Sequence, residues 1–211
     1  IDIVQLGLEH SMFIYREFLI YTNQVARCNI YNLCACISVL KHLGFKHSDI
    51  TLSCKQLSTI KGRFEVVHKE PLVVIDYAHT ADALYQILSF YRMFRQNRLV
   101  IVFGCGGNRD SLKRPFMGKI ACELADVVIL TEDNSRREDV VNIIKDIQKG
   151  CNGREVSIVS RVDAIKYALT IVDKNDIIII AGKGHESYIL NDLGYQSFAD
   201  VDVVNEFYKG R

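Results

Sequence analysis

Short apolar runs rich in β-branched residues alternate with segments of helical periodicity through most of the chain. From Pro71 onward, the predicted strands cover residues 72–78, 99–103, 127–131, 156–159 and 177–181. Each run is almost uniformly apolar, which is typical of strands buried on both faces of a parallel sheet. The segments between them predict helices at residues 81–94, 115–124, 138–148 and 162–172. This alternation predicts a doubly wound, Rossmann-like α/β sheet.

The two ends of the chain have a different pattern. Residues 188–190 and 195–198 flank a polar turn and predict a hairpin, which a last short helix follows. Near the start, strands are predicted at 11–15 and 18–22 and a helix at 29–43, closed by Gly44. Two short strands and a helix cannot bury a core of useful size. We therefore expect two domains, residues 1–70 and 71–211, with the first the remnant of something larger.

Composition and charge exclude several classes of protein. The chain has 211 residues, of which 49% are hydrophobic, and its formal net charge is only +1. So small a charge gives no long-range field to attract nucleic acid or an anionic membrane, so neither is an expected partner. The apolar runs are far shorter than the roughly 20 residues of a membrane span, and no export signal is visible.

The seven cysteines are odd in number and lack paired C-x-x-C spacing. A reducing cytoplasm is the simplest interpretation. Cys34 and Cys36 suggest a metal site on paper, but a C-x-C in an apolar helical run more often supplies small buried side chains. No metal site is therefore expected.

Polar residues follow four of the predicted strands where the strands end, and ligands bind at such places in open α/β sheets. The first loop reads Asp76-Tyr77-Ala78-His79-Thr80. Its alternative interpretation is a helix cap by Thr80 beside a solvated histidine. The second loop reads Gly104-Cys105-Gly106-Gly107-Asn108-Arg109-Asp110. Its glycines allow close backbone approach to a ligand, and Arg109 offers a planar fork for a carboxylate or phosphate.

The third loop reads Thr131-Glu132-Asp133-Asn134-Ser135-Arg136-Arg137 and the fourth Ala181-Gly182-Lys183-Gly184-His185-Glu186. An amide beside guanidinium groups suits an amino-acid zwitterion, although the third loop alone is better explained as a capped turn with surface arginines. In the fourth, Glu186 is suited to hold an ammonium group and Lys183 to face an anion. Together the four loops predict one shared site.

Five motifs then occur in a fixed order, at residues 76–82, 104–110, 113–115, 133–136 and 182–186. In order and spacing they resemble the motifs of the Mur ligase family, in its branch of UDP-N-acetylmuramoyl-tripeptide synthetases. Residues 29–32 and 62–65 are similar to the end of that family's central ATPase domain. The resemblance implies a cytoplasmic cell-wall enzyme that uses ATP and Mg²⁺ to add a diamino acid to a UDP-linked muramoyl dipeptide.

The resemblance also implies roles for particular residues. The diamino acid would be bound by Arg109, Asp133, Asn134, Ser135, Arg136, Gly182 and Glu186, and the nucleotide would be contacted by Arg63, Asp76 and His79. The distal ammonium and carboxylate of meso-diaminopimelate match a glutamate and an arginine, so this amino acid is favoured over lysine. Ser135 stands where the branch usually has proline.

Two alternatives stay open from the sequence. The chain contains no G-x-x-x-x-G-K-[ST] phosphate-binding loop, so we expect it to be inactive alone. This leaves room for a non-catalytic module that binds an amino acid or a nucleotide. A relative of folylpolyglutamate synthetase is the other alternative, and the third and fourth loops favour it less than the diamino-acid branch.

Overall fold

The computed structural model describes residues 1–210, which form two compact units, Ile1–Ile60 and a second that begins at Lys61. Among the described residues, no helix is both long enough and apolar enough to cross a membrane.

The first unit contains a three-stranded antiparallel sheet and two helices. Its strands are β1 (Asp2–Leu6), β2 (Ser11–Tyr15) and β3 (Phe18–Thr22), and its helices are α1 (Arg27–His42) and α2 (His47–Gln56). The buried core of this unit consists of Phe13, Tyr15, Ile20, Ile30, Leu33, Cys34, Ile37, Ile50 and Cys54. The expectation of two strands, one helix and no useful core was therefore wrong, because β1 and α2 add to the packing.

The second unit is built on a six-stranded sheet in the order β4-β5-β9-β6-β7-β8. Its strands are β4 (Glu65–Lys69), β5 (Leu72–Asp76), β6 (Leu99–Phe103), β7 (Val127–Leu130), β8 (Val156–Ser157) and β9 (Ile177–Ala181). All pair in parallel except β4, which pairs antiparallel with β5 at the edge. The five predicted strands are confirmed, with β5, β7 and β8 shorter than expected.

Helices cover both faces of this sheet, as the doubly wound pattern predicts. They are α3 (Ala81–Arg92), α4 (Lys113–Leu124), α5 (Val140–Gln148), α6 (Arg161–Thr170) and α7 (Asp200–Lys209). On one face, α6 and α7 pack against alternate residues of β5, β6 and β9, such as Val73, Val100 and Ile178. On the other face α3, α4 and α5 lie side by side, with α3 against β9 and α4 against β7.

The order of the strands in the sheet places the polar loops together. Strand β9 returns to the sheet between β5 and β6, and β7 lies next to β6. Because these four strands are parallel, the loops that follow them emerge at one edge of the sheet. The predicted hairpin follows as β10 (Tyr188–Asn191) and β11 (Gly194–Ser197).

The segment before Pro71 differs from the sequence-based picture in one respect. Residues 65–69 form β4, whose register with β5 pairs Glu65 with Ile75 and Lys69 with Leu72. The compact unit therefore starts near residue 61. The predicted boundary between residues 70 and 71 concerns the domains of the family, and it stays a prediction.

Candidate functional site

A cleft of about 350 Å³ lies at the carboxyl edge of the sheet, where the four polar loops meet. Its lining consists of Tyr77, His79, Gly104, Cys105, Gly106, Arg109, Asp110, Lys113, Asp133, Asn134, Arg136, Gly182 and Glu186. The structure thus brings together side chains from all four loops, as the strand-end rule predicts. Of the ten residues to which the resemblance assigns a binding role, Arg63, Asp76 and Ser135 are outside this lining.

Asn134 links the third and fourth loops through its side chain. Its Oδ1 accepts hydrogen bonds from Lys183 Nζ and from the Leu190 backbone N–H, each at 2.9 Å. Its Nδ2 donates to Glu186 Oε2 at 2.8 Å. These bonds fix which amide atom faces which partner, and they hold the hairpin strand against the cleft.

Lys183 is fully buried, and its ammonium is already paired. It lies 3.2 Å from Glu186 Oε2 and 5.5 Å from the centre of the Tyr188 ring. The anion that Lys183 faces is thus the Glu186 carboxylate of the protein itself and not that of a ligand, and a buried ammonium is stable only with such partners. All described bonds of Glu186 side-chain oxygens use Oε2, which leaves Oε1 for a ligand.

Arg136 joins the second and third loops. It has a left-handed φ of 56°, and its Nη1 donates to the carbonyl oxygens of Gly107 and Asn134 at 2.9 and 3.1 Å. In return, the Gly107 N–H donates to the Asn134 carbonyl at 2.9 Å. The guanidinium is thus held through Nη1, no described hydrogen bond uses Nε or Nη2, and the residue itself lines the cleft.

Gly107 permits this close approach of the two loops. A Cβ at this position would lie 2.0 Å from the Ser135 carbonyl oxygen and 2.9 Å from Glu138 Cβ. We expect Gly107→Ala to separate the loops and to weaken binding of any ligand that Arg136 contacts. Calorimetric titration of meso-diaminopimelate, the amino acid that the resemblance implies, measures this effect. Gly210→Ala is the control, because Gly210 has a φ of −87° and a Cβ there would lie at an ordinary 3.7 Å from the Glu206 carbonyl oxygen. Unchanged affinity in Gly107→Ala would contradict it.

The charges of the cleft are balanced. Its lining contains three cationic residues, Arg109, Lys113 and Arg136, and three carboxylates, Asp110, Asp133 and Glu186. Arg109 is exposed and makes no hydrogen bond or ion pair to any described residue, whereas Lys113 donates to the His79 carbonyl at 2.7 Å. A cleft with three cations and three carboxylates fits a ligand that carries both signs of charge.

The Asp76 carboxylate fixes the backbone of the first loop by hydrogen bonds. Its two carboxylate oxygens accept hydrogen bonds from the backbone N–H groups of Phe64 and Ala78, at 2.8 and 2.7 Å. Burial raises the pKa of the Asp76 carboxyl above its usual value, although these two bonds oppose the shift. Thr80 caps α3 by accepting from the Ala83 N–H, as the alternative interpretation of this loop holds, while His79 is exposed at the cleft.

Tyr77, to which sequence reasoning assigned no role, lies among cationic and aromatic groups. The Arg63 guanidinium is 4.8 Å from the centre of its ring, and the rings of His79 and His185 are at 4.7 and 5.5 Å. Arg63 and Gly184 belong to motifs far apart in the sequence, but Gly62 packs directly against Gly184 and His185. Tyr77, His79 and His185 lie in strand-end loops, which is the signal in the sequence that could have placed them together. Arg63 precedes β4 and was linked to His79 only through the family resemblance.

Two buried arginines hydrogen-bond to backbone carbonyls of the loops that line the cleft. Arg114 donates to Glu138 through Nη1 and Nη2 at 2.6 and 2.8 Å, and to the Gly106 carbonyl at 3.2 Å. This pairing with Arg114 holds the pKa of the Glu138 carboxyl below its usual range. Arg161 forms a two-pronged pair with Asp200, with both bonds 2.8 Å long, and donates to the carbonyl of Ala181 at the end of β9.

Comparison with known proteins gives a consistent result. The family described as "Mur ligase, glutamate ligase domain" matches residues 62–184. A 2,6-diaminopimelate ligase of UDP-N-acetylmuramoyl-L-alanyl-D-glutamate from Clostridium perfringens is 44% identical over 189 residues, 87% of this chain and 39% of that protein. The ligase of the same name from Buchnera aphidicola is 40% identical over 187 residues, 86% of this chain and 37% of that protein.

A solved structure of a ligase with that name gives a TM-score of 0.71 at 34% identity, and it covers 99% of this chain and 44% of the other. The chain spans about two fifths of the length of these curated relatives. The similarity therefore concerns one portion of each of these longer relatives, and it includes the cleft.

Proposed function

This chain belongs to the Mur ligase family, and we propose that it forms the amino-acid pocket of a cytoplasmic, ATP-dependent ligase of peptidoglycan synthesis. The proposed reaction joins meso-diaminopimelate to UDP-N-acetylmuramoyl-L-alanyl-D-glutamate through an amide bond. The names of the similar ligases support this substrate pair. The observation that carries the proposal is the balanced set of charges in the cleft.

meso-Diaminopimelate carries two carboxylates and two ammonium groups, so its recognition needs anions and cations in one pocket. In the proposed arrangement, Glu186 Oε1 accepts a hydrogen bond from an ammonium group, because Lys183 and Asn134 engage Oε2 alone. Arg136 uses its remaining nitrogens for the distal carboxylate. Arg109 has no described partner and is free to pair with the other carboxylate.

Asp133 and Gly182 give the pocket its floor in this arrangement. Both line the cleft, and a Cβ on Gly182 would lie 2.6 Å from Asp133 Oδ2. Asp133 also accepts a hydrogen bond from the Asn134 N–H. We expect Ser135, which is buried, to shape the loop through its backbone, since its carbonyl accepts from the Glu138 N–H at 3.0 Å.

We propose ATP and Mg²⁺ as the cofactors of the complete ligase. ATP supplies the phosphoryl group that activates the carboxylate of the dipeptide for attack by an amine. Arg63, His79 and Lys113 fit one wall of a nucleotide site, because they place cationic and donor groups around the ring of Tyr77 and the rim of the cleft. Asp76 supports this wall by fixing the backbone of Phe64 and Ala78.

Binding of meso-diaminopimelate to the chain tests the proposal. Titration calorimetry is expected to show one site, and Glu186→Gln is expected to weaken it roughly ten- to hundredfold, since a hydrogen bond to a charged group contributes about 1.5–3 kcal/mol. Glu70→Gln is the matched control, because Glu70 precedes β5 and so lies at the other end of the strands from the cleft.

Failure of meso-diaminopimelate to bind the folded chain would contradict the proposed pocket. Equal loss of affinity in Glu186→Gln and Glu70→Gln would mean that the charge of Glu186 does not contribute to binding of the ligand. Saturable binding of L-glutamate in preference to either diamino acid would instead favour the folylpolyglutamate synthetase alternative.

A further inference from the structure

We propose that Cys122, Cys151 and Glu155 form a binding site for a thiophilic divalent cation such as Zn²⁺. One ligand atom from each residue, two thiol sulfurs and a carboxylate oxygen, lies within 4.8 Å of the other two. All three side chains are partly exposed, so an ion can enter from solvent. Spacing along the sequence carries no hint of this group, because it forms only when α4 packs on α5.

The three residues come from elements that the fold holds close together. Cys122 is near the end of α4, Cys151 follows α5, and Glu155 directly precedes β8. Gly118 allows the approach, because a Cβ there would lie 2.2 Å from the Ile147 carbonyl oxygen and 3.1 Å from Cys151 Sγ. The packing of the two helices therefore sets the thiols side by side without a dedicated loop.

The donor set fits a tetrahedral site with one open position. Zn²⁺ takes thiolate sulfur at about 2.3 Å and carboxylate oxygen at about 2.0–2.2 Å, which puts two sulfurs about 3.8 Å apart. Ligand atoms that already lie within 4.8 Å of one another reach this geometry through small rotations of side chains. Water can complete the coordination.

The carboxylate is also held in place by neighbours. Glu155 Oε1 accepts from Gln148 Nε2 at 3.3 Å, and Oε2 accepts from the Gly153 N–H at 3.0 Å. Hydrogen bonds of this kind orient the ligands of metal sites. Cys151 Sγ lies 3.7 Å from the Ile147 carbonyl, a weak contact that a metal-bound thiolate can give up.

This site is separate from the cleft. Lys113, at the start of α4, lines the cleft, and Cys122 lies nine residues further along the same helix. At a rise of about 1.5 Å per residue, this places the thiol roughly 14 Å away along the helix axis. An ion bound there would join the end of α4 to the connection between α5 and β8, and its fourth position would stay open to water.

Titration of the reduced 211-residue chain with Cd²⁺ and Zn²⁺ tests the site. The expected result is one equivalent of either ion, thiolate-to-cadmium charge-transfer absorption in the ultraviolet, and release of about two protons at neutral pH. Cys122→Ser and Cys151→Ser should each abolish the absorption of the paired thiolates. Glu155→Gln should weaken affinity by at least about tenfold, because Glu155 is a direct ligand and loss of even an outer-shell partner of a ligand costs about 10–100-fold.

Cys36→Ser is the matched control, because Cys36 is an exposed cysteine of the first unit. It should bind like the original chain, and circular dichroism should show every variant folded. Equal binding in the Cys122→Ser/Cys151→Ser double variant, or loss of binding in Cys36→Ser, would overturn the proposal. A disulfide between Cys122 and Cys151 that resists reduction would also overturn it. Such a disulfide would be seen as failure of both cysteines to react with an alkylating agent after treatment with reductant.

Discussion

Replacement of Asp200 by alanine is expected to lower the free energy of unfolding of the second unit by about 3–5 kcal/mol, the usual effect of breaking a buried ion pair. Asp200 is 1% exposed and Arg161 is 0% exposed. Both carboxylate oxygens of Asp200 accept from the guanidinium, at 2.8 Å. Without them, Arg161 would keep only the carbonyls of Ala181 and Glu132 in a site that water does not reach.

Urea denaturation followed by circular dichroism measures this loss, and Asp202→Ala is the control. Asp202 belongs to the same first turn of α7 but is exposed, so its replacement should change stability by less than about 0.5 kcal/mol. A double variant, Arg161→Met with Asp200→Leu, should be more stable than Asp200→Ala alone, because no unpaired charge is left in the interior. Equal stability of Asp200→Ala and Asp202→Ala would mean that the pair contributes nothing net.

The parts of the fold that the sequence predicted well are the strands buried on both faces. β6 and β9 have the predicted bounds because a run of five apolar, mostly β-branched residues is too short for a typical helix and fits a strand buried on both faces. β1 and β4 were missed because both are edge strands with mixed, partly exposed residues. Helix α2 was missed for a similar reason, since only Ile50 and Cys54 in it are buried.

The position of the candidate site was predictable, whereas its internal pairing was not. The strand-end rule predicted that Arg109, Arg136 and Glu186 would meet, since it depends only on the direction of the strands. The bond between Asn134 and Lys183 depends on how two loops lie against each other, which no local pattern encodes. As a result, the sequence suggested a lysine that faces a ligand, and the structure shows a buried lysine that holds Glu186.

The second large effect concerns the choice of amino acid. meso-Diaminopimelate is expected to bind roughly ten- to hundredfold more tightly than L-lysine, and Arg136→Ala should remove most of this preference. The two ligands differ chiefly by the distal carboxylate, and a charged hydrogen bond to a fixed guanidinium contributes about 1.5–3 kcal/mol. Arg136 is fixed because its Nη1 bonds to the Gly107 and Asn134 carbonyls, so little rotamer entropy is lost on binding.

Titration calorimetry of both amino acids against the original chain, Arg136→Ala and Arg137→Ala measures the preference directly. Arg137 is the matched control, because it is the exposed neighbour and its one described hydrogen bond is made by the backbone N–H, which alanine retains. The affinity for lysine is an internal reference, since Arg136 also supports the loops. If lysine and diaminopimelate lose affinity equally in Arg136→Ala, the residue acts by holding Gly107 and Asn134 in place. If diaminopimelate alone loses affinity, Arg136 binds its distal carboxylate. A preference that survives in Arg136→Ala would contradict the proposed role.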